Sequence, residues 1–145
     1  MVIALVAALQ LLTPQVQPSA LIRAAESGDL PALQAILDDI HKDVEAKTHA
    51  IIQQPNQVTI ADAVLAVQRK NEVLNRRDDM ARTALMHAAE RGHTEMVEAL
   101  LKSGADPSLT TSDGLSAARL ARDAGKEGVA ELIEKSLQDK VNQKP

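Results

Sequence analysis

Apolar residues recur along this chain in paired helical stripes, each closed by a glycine. Between Thr83 and Ser108, Leu85, Ala88 and Ala89 share one helical face and stop at Gly92. Met96, Val97, Leu100 and Leu101 follow at i, i+1, i+4 and i+5 and stop at Gly104. That spacing predicts two short amphipathic helices. Glycine after each stripe suits a left-handed C-terminal turn, and the Thr83 hydroxyl is placed to cap the first helix. The segment therefore reads as two antiparallel helices joined by a tight turn, with alanines permitting close approach.

The unit recurs. Thr83 and Ser116 are 33 residues apart, and Gly92 and Gly125 keep the same offset. In this later copy Ala118 and Ala121 mark the first helix, and Val129, Leu132 and Ile133 the second. Upstream, Leu21, Ala24, Ala25, Gly28, Leu33, Ile36 and Leu37 match Leu85, Ala88, Ala89, Gly92, Val97, Leu100 and Leu101 at a uniform offset of 64, close to two periods. A fixed period of this length is the mark of a stacked-repeat architecture.

These residues resemble the ankyrin-repeat family, most clearly in the middle copy: Asp78, Thr83, Leu85, Ala88-Ala89, Gly92-His93, Val97, Leu100-Leu101 and Gly104-Ala105-Asp106. Ala81 stands where the family has its turn glycine, Ala84 where it has proline and Met86 where it has the histidine of T-P-L-H. The last copy departs further, with Thr111 for the aspartate, Ala118 for the leucine, Arg122 for the second alanine and Lys126 for the histidine. Such changes fit a terminal repeat with a more polar outer face. The resemblance implies an all-α ankyrin-repeat solenoid of stacked helix-turn-helix units with short hairpin loops. Its repeats cover about 19–37, 75–107 and 108–137, and a polar tail covers 138–145. It also implies that His93 is structural, bonding between turns and neighbouring repeats, and that His87 occupies a variable, exposed or interfacial position.

Residues 38–74 interrupt the period. Leu33, Leu37, Ile40, Val44, Thr48 and Ile51 keep one stripe, so the second helix of the first repeat is expected to continue to about Gln53. Pro55-Asn56 breaks it. Thr59 with Asp62 resembles a capping pair, and Ile60, Val64 and Val67, with Ala63 and Ala66 beside them, predict a second amphipathic helix to about Asn71. The insert thus reads as a long helical hairpin, either a stabilising elaboration packed on the second repeat or an arm that touches a partner.

Composition narrows the chemistry. The 145 residues contain no Phe, Trp, Tyr or Cys. The core must therefore be aliphatic, and disulfides, thiol catalysis and cysteine metal sites are excluded. The net charge of −4 is spread over mixed acids and bases, and no aromatic can stack on bases, so a nucleic-acid partner is not expected. The opening MVIALVAALQLL is almost wholly apolar but shorter than a usual membrane span. With the small, turn-prone residues that follow, segment 1–18 resembles a secretory signal peptide, although no Lys or Arg precedes its apolar run. Export to a bacterial periplasm is the expectation. The other readings are a cytoplasmic chain whose first residues pack on the domain, and a retained segment that contacts a membrane.

Candidate catalytic chemistry is sparse. His41, Glu45 and His49 share a helical face, but the two histidines would lie about 12 Å apart along the axis at about 1.5 Å per residue. One zinc ion holds its ligands near about 2 Å, so this is read as a solvated face and no metal or other cofactor is expected. There is no nucleophile elbow and no phosphate loop, so the chain is not expected to be an enzyme. Met80, Met86 and Met96 read as core and turn fillers.

The resemblance implies a monomeric protein-binding module that uses its hairpin tips and inner helices. Carried over by position, the partner-binding residues are Asp79, Met80 and Arg82 in one hairpin and Ser112, Asp113 and Leu115 in the next. Glu26 and Ser27, Glu90 and Arg91, and Asp123 and Ala124 complete the set on the inner helices. An adaptor, an inhibitor or an immunity-type protein would all fit. A maturation factor that stabilises one client enzyme, or a membrane-attached module, is the alternative.

Overall fold

The computed structural model describes residues 18–53 and 60–142. The apolar segment before Pro18, the Pro55-Asn56 break and Thr59 of the expected capping pair lie outside them. Among the described residues there are seven helices and no strand: α1 (Pro18–Ser27), α2 (Leu30–Gln53), α3 (Ile60–Leu74), α4 (Ala84–Arg91), α5 (Thr94–Ser103), α6 (Ala117–Asp123) and α7 (Glu127–Asn142). The helices α1, α4 and α6 stack as an inner row, and α2, α5 and α7 form the outer row.

The core follows the repeat. Leu21, Ala24, Ala25, Leu33 and Leu37 of the first unit are buried with Leu85, Ala88, Ala89, Val97 and Leu100 of the second and Ala118, Ala121, Val129 and Ile133 of the third. Alanines on the inner row let neighbouring units approach closely, and leucines fill the space between the rows. Met86 and Met96 are buried, as fillers should be. Met80 is instead 63% exposed, so it is no filler.

Caps and turns repeat with the same period. Thr83 Oγ1 accepts the Met86 N–H at 3.4 Å, and Ser116 Oγ accepts the Arg119 N–H at 3.3 Å. Where the family has histidine, the Met86 thioether accepts the Thr83 N–H at 3.5 Å. Gly28 and Gly92 both have positive φ, and both are covered by the following repeat. A Cβ at Gly28 would meet the His93 ring at 2.9 Å, and one at Gly92 would meet the Lys126 stem at 2.8 Å. His93 thus acts through packing over the preceding turn, and Lys126 does the same work in the last unit.

The hairpin loops are equally periodic. The Asp78 N–H donates to the Arg82 carbonyl at 2.9 Å, as Thr111 does to Leu115, also at 2.9 Å. Ala81 corresponds to Gly114 at the 33-residue offset and adopts the same left-handed turn, with φ of 58° against 78°. A side chain there costs about 1–2 kcal/mol. Ala81→Gly should therefore raise the urea midpoint by an equivalent of about 0.5–1 kcal/mol, after allowing for the freer unfolded chain. A midpoint that stays put or falls would count against that strain.

The insert forms the expected hairpin, but its register differs from the pattern read in the sequence. The helix α2 reaches Gln53 and α3 continues to Leu74. The α3 helix packs on α2 and α1, rather than chiefly on the second repeat, which it approaches where Lys70 nears Gly104. Its buried side is Ala66 and Leu74, with Ala63 and Val73 half-buried, while Ile60, Val64 and Val67 face outward. Small residues win the contact because they allow the two helix axes to close. On α2 burial fades beyond Ile40: Val44 is half-buried and Thr48 exposed, and the Ile51 side chain is outside the described set. At the other end, α7 runs through 138–142, where the sequence reads as a polar tail, and Lys140 Nζ donates to the Ala105 carbonyl at 3.1 Å.

Candidate protein-binding face

The hairpin tips and the inner row of helices place the sequence-derived residues on one side of the stack, in three different situations. The first group is exposed. Asp79, Met80, Ser112 and Asp113 are exposed at the tips of the second and third hairpins. Their backbone is held firmly. Asp78 Oδ1 accepts the N–H of Met80 at 2.9 Å and of Arg82 at 2.8 Å. The Ser112 N–H donates to the Met80 carbonyl at 3.3 Å and so ties one tip to the next.

The second group is already paired. Arg82 Nη1 donates to Glu90 Oε2 at 2.8 Å, joining a hairpin to the inner helix α4. Arg91 Nη1 donates to the Glu26 carbonyl oxygen at the end of α1, where uncapped carbonyls attract cations. Arg119 Nε donates to Asp123 Oδ1 at 3.0 Å. A substitution of Arg91 would therefore disturb the contact between repeats as well as any surface.

The remaining positions are mixed. Leu115 is half-buried against the core. Ser27 Oγ donates to the Ala24 carbonyl at 3.2 Å. Ala124 is exposed as the last residue before the Gly125 turn.

His87, whose position the family leaves variable, is buried between the first two repeats. Its Nε2 lies 2.8 Å from Asp78 Oδ2, and its Nδ1 lies 3.6 Å from Glu26 Oε1. An ionised carboxylate only accepts, so Nε2 carries the proton in this pair. Burial works against the Asp78 charge. The N–H of Arg82, the His87 ring and the N–H of Met80 outweigh it and hold the carboxyl below its ordinary value. Asp106 is likewise lowered: burial opposes its charge, and the Ser108 hydroxyl, the Ser108 N–H and the Lys140 ammonium overcome the penalty. The signal for the His87 network was present in the family aspartate at Asp78, but its partner lies nine residues on and on another element.

On α2, His41, Glu45 and His49 do share one helix, and His49 Nε2 sits 2.8 Å from Gln53 Nε2. No group of three His, Asp or Glu residues among the described residues is arranged to hold a metal ion.

A stack of helical hairpins with short connecting tips defines a repeat-solenoid protein whose free surface is made by those tips. Comparison with known proteins gives the class its name. A family model described as ankyrin repeats, in three copies, matches residues 21–144, so the chain belongs to the ankyrin-repeat family. An ankyrin repeat protein of fowlpox virus (strain NVSL) is 39% identical over 71 residues, which is 49% of this chain and 10% of that protein. One from Neisseria meningitidis serogroup B is 37% identical over 68 residues, covering 47% of this chain and 27% of the other. Ankyrin repeat domain-containing protein 63 of Mus musculus is 25% identical over 134 residues, 87% of this chain and 34% of its own length. The chain thus spans between a tenth and about a third of these relatives. Ankyrin repeats generally serve as protein–protein interaction modules and are typically non-enzymatic.

Proposed function

We propose that this chain is a non-enzymatic binding module that captures one partner protein on the tips of its second and third hairpins. The observation that carries this reading is Met80. It is 63% exposed, yet its N–H and its carbonyl oxygen are both engaged, by Asp78 and by Ser112. A large apolar side chain held out on a fixed backbone loses little freedom when it is covered, which favours association. Asp79 and Asp113 flank it and make no ion pair among the described residues. Arg82, Arg91 and Asp123 are engaged within the chain. The free tips are therefore apolar and acidic, and they fit a partner that presents an apolar pocket rimmed by Lys or Arg. An adaptor, an inhibitor and an immunity-type protein all fit this description.

Met80→Glu tests it cleanly. Cross-linked affinity capture from the native cell should hold one protein with wild type and about tenfold less with the variant, as for loss of one apolar anchor worth about 1.4 kcal/mol. Thermal melting should be unchanged, because the side chain supports nothing. Equal capture by both proteins would remove the hairpin tips from the interface.

A further inference from the structure

We propose that Met80 is a reversible oxidation site, where a peroxide turns the thioether into a sulfoxide and weakens partner capture without unfolding the repeats, an inference that rests on the reading of the hairpin tips as the binding face. Exposure is selective. Of the four methionines in the sequence, Met80, Met86 and Met96 lie among the described residues. Met80 is 63% exposed, against 1% for Met86 and 2% for Met96. The Met86 sulfur is also engaged, since it accepts the Thr83 N–H. A peroxide therefore meets Met80 in the folded protein and reaches the other two only when the stack opens. The chain has no cysteine, so no thiolate of its own competes for the oxidant.

The tip keeps the altered group in place. The Met80 N–H donates to Asp78 Oδ1 at 2.9 Å. Its carbonyl oxygen accepts the Ser112 N–H at 3.3 Å and the Ser112 hydroxyl at 3.4 Å. The backbone here is tied to its own hairpin and to the next, so a modified side chain stays where a partner would meet it. Met86 and Met96 belong to the aliphatic core, and Met80 does not. Oxidation at Met80 thus changes the binding surface and spares the packing that holds the fold.

The chemistry balances. A sulfur lone pair attacks one oxygen of the peroxide. The S–O bond forms as the O–O bond breaks, and the departing hydroxide takes the proton of the transferred oxygen and leaves as water. Sulfur loses two electrons and the peroxide gains them. The product is polar, and desolvating it in an apolar pocket costs free energy. A thiol-dependent sulfoxide reductase restores the thioether: two thiols become a disulfide, and the oxygen leaves as water.

Trypsin cuts after Arg77, Arg82, Arg91 and Lys102, so Met80, Met86 and Met96 fall on separate peptides. The purified full chain is treated with dilute hydrogen peroxide and quenched with catalase. One part goes to mass spectrometry and the other serves as bait in the affinity capture. Met80 should oxidise at least about tenfold faster than Met86 and Met96, as for buried sites open less than about a tenth of the time. Capture of the protein held by untreated wild type should fall about tenfold, as for loss of one apolar anchor. It should return after both epimer-specific sulfoxide reductases act with dithiothreitol, and the thermal melt should not move. Met80→Leu, apolar but without sulfur, should capture equally before and after peroxide. Equal oxidation rates at the three methionines overturn the proposal. So does undiminished capture by the wild-type sulfoxide, or a Met80→Leu protein that loses capture to peroxide as wild type does. Met80→Glu separates the two readings. If it captures as wild type does, the binding face itself falls. If it loses capture while the sulfoxide keeps it, the tips bind and only the oxidation control is overturned.

Discussion

Leu100→Ala is expected to remove about 2–5 kcal/mol of folding stability, the range for emptying a leucine site in a packed core. Leu100 is fully buried in α5. That helix is gripped from three sides, by α4 of its own repeat, by α2 of the first and by α7 of the third. In a solenoid each unit is stabilised mainly by its neighbours, so a cavity in the central unit weakens two interfaces at once. The core has no Phe, Trp or Tyr, so refilling the space would require a Leu, Ile, Val or Met to leave its own buried site. Total stabilities of natural domains are about 5–15 kcal/mol, so a loss of this size leaves a protein close to unfolding. Leu132→Ala, at a half-buried site in the terminal repeat, should cost distinctly less. Urea unfolding followed by far-ultraviolet circular dichroism measures both. A Leu100→Ala loss below about 1 kcal/mol, under the range for such sites, would mean that the central helix is not held as described.

Most of the architecture was legible because the period constrains it. The 33-residue offset between Thr83 and Ser116 places both caps, both hairpins and both inner helices, and the structure shows each pair in the same geometry. Substitutions at family positions were legible as differences, but their chemistry needed coordinates. Thr111 replaces an aspartate and still accepts the Leu115 N–H at 3.2 Å, as Asp78 accepts that of Arg82. Lys126 replaces a histidine and still covers the preceding glycine. The orientation of α3 was not legible. Helical periodicity groups Ile60 with Val64 and Val67, but it does not say which side meets α2, and the small side of the helix took that place.

The surface was legible as a set of positions and not as a set of free groups. Local spacing cannot show that Arg82 reaches Glu90, or that Arg91 reaches a carbonyl 65 residues away. Those pairings convert candidate contacts into supports and leave the tips, Asp79 to Met80 and Ser112 to Asp113, as the part open to a partner. The same supports explain why the tips can be rigid while lacking regular structure.

The support with the largest expected effect is Asp78. Its Oδ1 closes the hairpin through two backbone N–H groups, and its Oδ2 receives the buried His87. Asp78→Ala leaves those donors without their charged acceptor and should cost about 2–3 kcal/mol, the upper range for hydrogen bonds to an ionised group. Asp78→Thr is the informative comparison, because Thr111 closes the third hairpin with a hydroxyl. It should keep the bond to the Arg82 N–H, lose the one from His87, and cost about 1 kcal/mol less than alanine. The wild-type contribution also has a defined acid limit. The folded carboxyl titrates below its ordinary value of 3.8. Folding therefore favours the ionised form: the contribution is complete above that ordinary value and is lost as pH falls through the lower, folded value. Urea midpoints of wild type and Asp78→Ala should stay well separated at neutral pH and converge only in strong acid, where both carry an uncharged side chain. A separation that is equally wide in strong acid would show that the carboxylate charge does not hold the hairpin, and equal losses for alanine and threonine would show that the bond to Arg82 contributes nothing.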